Sequence, residues 1–158
     1  MANTQSMCTS FMGELMTATH NFGVAPTRGT SAADTFKAAL YLTTATINAA
    51  TTAYTATGEV SGTNYTAGGV TVATATPPTA TNSSATAGVA FFTPSSSITY
   101  TTVTLTTAFD TVLLYNSTQS NKAVSVHTFG SQTITAGTFT LTMPANTTTT
   151  ALLRLATS

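Results

Sequence analysis

Apolar side chains recur along residues 7–22 at the spacing of one face of an α-helix. The recurring positions are Met7, Phe11, Leu15, Ala18 and Phe22. This pattern predicts a helix over 7–22, with Thr9 or Ser10 as its N-cap and Gly23 at its end. Two arrangements stay open for the apolar face. It covers the core of its own domain, or it packs on a neighbouring subunit, where methionines adapt to irregular contacts.

The pattern changes to the two-residue period of a β-strand over residues 35–42. One face carries Phe36, Ala38, Leu40 and Leu42, and the other carries Lys37, Ala39 and Tyr41. We therefore predict a strand with one buried face. Residues 43–57 fit an exposed strand and an extended loop equally well. The glycines of 58–69 indicate turns, and residues 70–72 are typical of a further strand.

Short β segments follow from Gly88 onward at intervals of about 8–12 residues, which is typical of a sandwich or barrel. They cover 89–93, 98–107, 111–115, 123–129, 132–135, 138–143 and 151–155. Turn residues lie at 116–121, 135–137 and 144–146. A change of phase after Thr102 indicates a β-bulge or two buried faces. The predicted fold is mainly β: an antiparallel β-sandwich, with the jelly roll as one arrangement, and one N-terminal α-helix.

The length predicts a single domain over 1–158, because single cores usually span about 100–200 residues. The sandwich occupies 35–158, and residues 74–87, which lack periodicity, are expected to form a long mobile surface loop. The predicted core residues are Phe11, Leu15, Phe36, Leu40, Leu42, Phe91, Leu105, Val112, Leu114, Val126, Phe139, Leu141 and Leu153.

Charged residues are scarce, at 5% of the chain against about 25% in ordinary soluble domains. The basic residues are spread along the sequence, so we expect no nucleic-acid partner. No apolar run approaches the roughly 18 residues of a membrane span, and residues 1–6 do not resemble a signal peptide. We expect no membrane association. A near-neutral surface of hydroxyl groups is poorly protected from self-association, which favours an oligomer.

Candidate catalytic and metal-binding groups are few. Asp110, His127 and a serine invite comparison with a hydrolytic triad, but no nucleophile motif is present, and we expect a surface or hydrogen-bonded histidine on the Ser125 face of a strand. Cys8 and His20 lack an orienting third group, so Cys8 is expected to be structural. Glu14, Asp34, Glu59 and Asp110 are too far apart in sequence for a calcium loop, and 67–69 lacks the lysine of a phosphate-binding loop. We predict no enzyme, no catalytic, metal-binding or cofactor-binding residues, and no cofactor.

Four segments carry a resemblance to a known group of proteins. They are 11–22, 33–42, 58–69 and 110–116, and the most distinctive is Asn64-Tyr65-Thr66-Ala67-Gly68-Gly69. In this order they resemble small virion structural proteins of tailed bacteriophages, the class of capsid decoration or cement proteins. The resemblance implies a virion component and implies no catalytic or cofactor residues.

We therefore expect a non-enzymatic protein that binds the major capsid protein lattice as a homo-oligomer and stabilises it. A trimer is favoured and a dimer comes next, because closed symmetry matches the axes of a capsid. The expected location is the outer surface of the capsid in the virion, after synthesis in the host cytoplasm. The alternative is a tail, neck or fibre component that contributes to host recognition or connection through exposed loops.

Overall fold

The computed structural model of the chain describes residues 3–16, 19–22, 33–74, 78–81 and 88–156. These residues form one helix and eight strands, so the molecule is mainly β, as predicted. In chain order the elements are β1 (Ser6–Met7), α1 (Thr9–Met16), β2 (Phe36–Leu42), β3 (Val70–Val72), β4 (Thr79–Thr81), β5 (Val89–Phe92), β6 (Ile98–Asn116), β7 (Lys122–Leu141) and β8 (Leu153–Ala156).

The strands form two antiparallel sheets that pack as a sandwich. The larger sheet has the order β1-β7-β6-β2-β3, and the smaller sheet has the order β4-β5-β8. Phe36, Leu114 and Val124 of the larger sheet meet Phe92 and Leu153 of the smaller sheet in the core between them. The predicted antiparallel β-sandwich with one N-terminal helix is confirmed.

β6 and β7 are the longest strands, and they pair as one hairpin. The prediction of five separate short strands in this part of the chain is wrong. Segments 98–107 and 111–115 join in β6, and 123–129, 132–135 and most of 138–143 join in β7. The strands continue because shifts of register along the pair absorb each change in the apolar pattern.

Two of these irregularities have left-handed backbone, with φ 54° at Thr102 and φ 47° at Ala136. The first confirms the bulge that the change of phase predicted. At the second, the Ala136 amide donates to Thr104 Oγ1 at 3.0 Å. The turn predicted at 135–137 is a bulge inside β7. The Ala136 amide, which leaves the backbone hydrogen-bond ladder of the sheet, is satisfied by the Thr104 side chain instead. The predicted turn at 116–121 does join two strands.

Both faces of β2 are buried, whereas the alternating pattern predicted burial of one. Phe36 stacks on Phe22, with ring centroids 4.3 Å apart. On the other face, Tyr41 is fully buried. Its hydroxyl has a hydrogen-bond partner there, since it donates to the Thr55 carbonyl oxygen at 2.6 Å. Residues 43–57, which the pattern left open, are an extended loop over this face, with no strand of their own.

The helix is half as long as predicted. Met7 lies in β1 and pairs with Ser125, and residues 19–22 are not helical. The Thr19 amide donates to the Glu14 carbonyl oxygen at 3.0 Å, a closure typical of helix ends. Met7 belongs to the first turn of the predicted helix but pairs with β7 instead. Gly13 weakens the remaining helix by up to about 1 kcal/mol relative to Ala. The predicted end at Gly23 lies outside the described residues.

The prediction of a loop throughout 74–87 is wrong in its middle, since Thr79–Thr81 form β4 and pair with β5. Residues 75–77 and 82–87 of that segment lie outside the described part. Most predicted core residues are buried, but four are only partly buried and pack against the edge of the core. They are Leu15, Leu42, Phe139 and Leu141.

Candidate functional site

Glu14 joins the helix to His20 and to the start of β7. His20 Nε2 lies 2.7 Å from Glu14 Oε2, and Lys122 Nζ donates to Glu14 Oε1 at 2.5 Å. Burial by itself would raise the pKa of Glu14, but hydrogen bonds and charges from Lys122 and His20 outweigh it and lower that pKa. Glu14 is therefore ionised at neutral pH and fastens α1 to the larger sheet.

The same histidine continues into a buried network at the hairpin turn. His20 Nδ1 lies 3.1 Å from Asn116 Nδ2, and that amide donates to Asp34 Oδ2 at 2.7 Å. Gln119 Nε2 donates to the other oxygen of Asp34 at 3.2 Å. Asn116 is fully buried, so these bonds satisfy polar groups that water does not reach. The network holds the N-terminal segment against the turn after β6.

Cys8 and His20 do not form a nucleophile and base. Cys8 is fully buried, and burial, assisted by the charge of Glu14, raises the pKa of its thiol to about 11. No hydrogen bond joins the two side chains in the described part of the chain. The thiol stays protonated at neutral pH, and the predicted burial of Cys8 is confirmed.

Glu59 and all five tyrosines of the chain form a second group, the tyrosine cluster. Its tyrosines are Tyr41, Tyr54, Tyr65, Tyr100 and Tyr115. Glu59 Oε2 accepts from the Tyr54 hydroxyl at 2.6 Å. Its Oε1 accepts from the Tyr65 hydroxyl at 2.8 Å and from the Gly68 amide at 2.7 Å. One carboxylate thus accepts three hydrogen bonds from residues 43–69, the loop between β2 and β3, which covers β2.

The cluster attaches this loop to the larger sheet. The Tyr115 hydroxyl of β6 donates to the Gly68 carbonyl oxygen at 2.7 Å, and its ring stacks on Tyr54 with centroids 4.9 Å apart. The Tyr65 hydroxyl accepts from the Leu40 amide at 3.0 Å. Close backbone approach completes the attachment, because a Cβ on Gly69 would lie 1.6 Å from a carbonyl oxygen of β2.

Burial raises the pKa of each tyrosine in the cluster, and the Glu59 carboxylate raises it further. For Tyr54 the pKa reaches about 12. The hydroxyls therefore stay neutral at physiological pH and act as hydrogen-bond donors. No spacing in the sequence predicts this cluster, since its members come from four different parts of the chain.

A third group lines a cavity of about 320 Å³ between β1, β7 and the approach to β8. Ser125 Oγ and His127 Nε2 lie 2.9 Å apart on its wall, which confirms that the two share a face and that His127 is hydrogen-bonded. Burial lowers the pKa of His127 to about 4. The ring is neutral at physiological pH and is a weak base.

Asp110 does not join this pair. Its Oδ1 accepts from Asn3 Nδ2 at 2.9 Å and from Thr111 Oγ1 at 2.7 Å. No hydrogen bond between Asp110 and His127 occurs in the described residues, and the Ser125 side chain is buried. The pair therefore lacks the carboxylate that orients the histidine of a hydrolytic triad.

Within the described ranges, no three His, Cys, Asp or Glu side chains come together as a group that could hold a metal ion. The helix in those ranges has eight residues and is too short to cross a membrane. No protein-family model, curated protein or solved structure matches this chain at a significant level.

Proposed function

We propose that the chain is a non-enzymatic virion structural protein, a capsid decoration protein that binds the major capsid protein lattice as a homo-oligomer and stabilises it. The observation that carries the proposal is the way in which the fold uses its few charges. The four carboxylates, Glu14, Asp34, Glu59 and Asp110, accept hydrogen bonds from the chain's own side chains. The surface that remains is made largely of hydroxyl groups.

Most of the β6–β7 hairpin, away from its turn, carries no charged side chain. Residues 98–109 and 123–141 contain no Asp, Glu, Lys or Arg. Their exposed side chains include the threonines Thr99, Thr101, Thr106, Thr133, Thr135, Thr138 and Thr140. On one side of β7, residues 122–126 pair with β1 and with the loop at 52–53, and the described residues place no strand along that edge from 127 onward. Soluble proteins usually protect such an edge with charges, and a partner that covers the hairpin removes the need for them.

Apolar contacts are also offered outside the core. Among the described residues, the exposed large apolar side chains are Met12 on α1 and Leu155 on β8. Leu15 and Leu155 line the same apolar cleft, of about 90 Å³. This supports the arrangement in which the helix contributes to packing on a neighbouring subunit as well as to its own core.

The groups that most resemble catalytic machinery support a non-enzymatic role. His127 has a lowered pKa and no carboxylate partner among the described residues, and its hydroxyl neighbour is buried. Cys8 holds a protonated thiol. General bases and nucleophiles work best with a pKa near the working pH, and neither residue meets that condition.

Cryo-electron microscopy of particles that contain this protein tests the proposal. We expect many copies on the outer capsid surface at symmetry axes, and particles without the protein to break at lower temperature. Density confined to the neck, tail or fibres would contradict decoration and support the host-recognition or connector alternative. Particles that lack the protein altogether would contradict both.

Sedimentation of the isolated chain tests the oligomer. We expect a mass three times that of the 16.1 kDa chain, and a shift toward the monomer when Met12 and Leu155 are both changed to Ser. The matched control is Thr133→Ser, which alters the exposed hairpin without removing a large apolar group. A concentration-independent monomer would contradict the homo-oligomer.

A further inference from the structure

The cavity beside Ser125 and His127 combines one positive charge with an apolar wall. Arg154 lies at its rim, and no ion pair involves this residue in the described part of the chain. The apolar lining comes from Met7, Val126, Ala151, Leu152 and Leu153. No carboxylate lines the cavity, so the charge of Arg154 has no internal partner there.

Further hydrogen-bonding groups lie around the same space. Gln5 lines the cavity, and its Oε1 accepts from Thr128 Oγ1 at 3.5 Å, which leaves the two N–H groups of its amide without a partner among the described residues. The hydroxyl of Ser125 and the ring of His127 complete the polar side. Ligand sites commonly have a volume of at least about 300 Å³ and combine apolar lining with polar groups that converge on one space.

We infer that this cavity binds the carboxylate group of an amphipathic anion, with Arg154 and the Gln5 amide holding the carboxylate and the apolar lining receiving a short aliphatic chain. The volume of 320 Å³ corresponds to about ten water molecules, so a carboxylate with about six carbons fits. The anion has two sources, a free organic acid or an acidic side chain of another protein. A second copy of this chain is a poor source, because its four side-chain carboxylates are already bonded internally.

Hexanoate is the probe for the isolated protein. The chain contains two histidines, His20 and His127, and His20 does not line the cavity. In NMR spectra of the imidazole groups, we expect hexanoate to move the His127 signals saturably and to leave those of His20 in place. Hexanol has the same aliphatic chain without the charge, and we expect it to bind at least about tenfold more weakly.

Arg154→Gln tests the assigned cation, and Lys37→Gln is its matched control. Both variants change the net charge by the same amount, but Lys37 does not line the cavity. We expect Arg154→Gln to weaken hexanoate binding about tenfold or more and Lys37→Gln to leave it unchanged. An unmoved His127 signal, equal binding of hexanol, or equal affinity of the two variants would overturn the assignment.

The two sources are separated with N-acetylglutamate N-methylamide, whose only carboxylate is that of a glutamate side chain. Tighter binding of this compound than of hexanoate identifies a protein side chain as the natural ligand, and the reverse order identifies a free organic acid. The assay uses isolated protein, so its outcome does not depend on the proposed place in a virion.

Discussion

Removal of the Glu59 carboxylate is the most direct test of how the loop over β2 is held. Glu59 accepts from Tyr54, Tyr65 and the Gly68 amide. A hydrogen bond to a charged group contributes about 1.5–3 kcal/mol. Glu59 is partly exposed, so the lower figure applies, and three bonds correspond to about 4 kcal/mol. We expect Glu59→Ala to lower the free energy of unfolding by this amount.

Glu59→Gln separates charge from shape. The Gln Oε1 still accepts from Tyr65 and Gly68, and its amide group meets the Tyr54 hydroxyl, which rotates to accept. We therefore expect a loss of only about 1 kcal/mol. Asp110→Asn is the matched control for charge, because both donors to Asp110 use Oδ1 and an Asn oxygen accepts them equally well.

Urea unfolding followed by tyrosine fluorescence and circular dichroism measures these differences. The chain has no Trp, so the fluorescence reports the cluster itself. In thermal unfolding, about 4 kcal/mol corresponds to a fall of roughly 8–16 °C in the midpoint for a chain of this length. A loss below about 1 kcal/mol for Glu59→Ala, or a loss no larger than that of Asp110→Asn, would refute the reasoning.

Three further predictions concern pH and backbone. Because burial lowers the pKa of His127 to about 4, the folded state resists a proton that the unfolded chain takes up near pH 6.5. The free energy of unfolding should therefore fall between pH 6.5 and 4, by on the order of 3 kcal/mol more than in His127→Gln. Urea unfolding measures this, and the same dependence on pH in both proteins would exclude it. Because the tyrosine pKa values are raised, the contribution of the tyrosines to stability should be complete below about pH 10 and be lost as the pH rises above it. Tyrosinate absorbance should then rise only together with unfolding, and a separate early rise would contradict the burial of the cluster. Gly69→Ala should cost more than about 3 kcal/mol, because Gly69 has φ 72° and the new Cβ meets the Ala38 carbonyl oxygen, while Gly130→Ala, with nothing within 4 Å, should stay within about 0.5 kcal/mol. Equal unfolding midpoints for the two variants would contradict the close approach at Gly69.

The class of fold is predictable from the sequence because it depends on local pattern. Alternation predicted β2 close to its observed position, and short β segments between turn residues predicted β3 and β5. The long hairpin was not predictable, because a β-bulge and a turn have the same local signature. Thr135, Ala136 and Gly137 could serve either, and only the Thr104 hydroxyl opposite Ala136 decides.

The polar groups were less predictable for a different reason. Glu59 and Tyr65 lie six positions apart, as do Glu14 and His20. Asn116 and Lys122, however, reach that second pair from about 100 residues further along the chain. Because charged residues are few in this sequence, each one is easily noticed, but the sequence does not show which residue it will bond. The pair of Ser125 and His127 was the exception, since the two-residue period of a strand places both on one face.

The pairing of β1 has a consequence for biosynthesis. Ser6 pairs with Val126, so the first strand leaves the ribosome about 120 residues before its partner, which takes roughly 6–24 s at common translation rates. During that interval the Phe11 face of α1 has no sheet to cover. The larger sheet is therefore completed late, and a chaperone that shields the nascent N-terminal segment would raise the yield of folded chain.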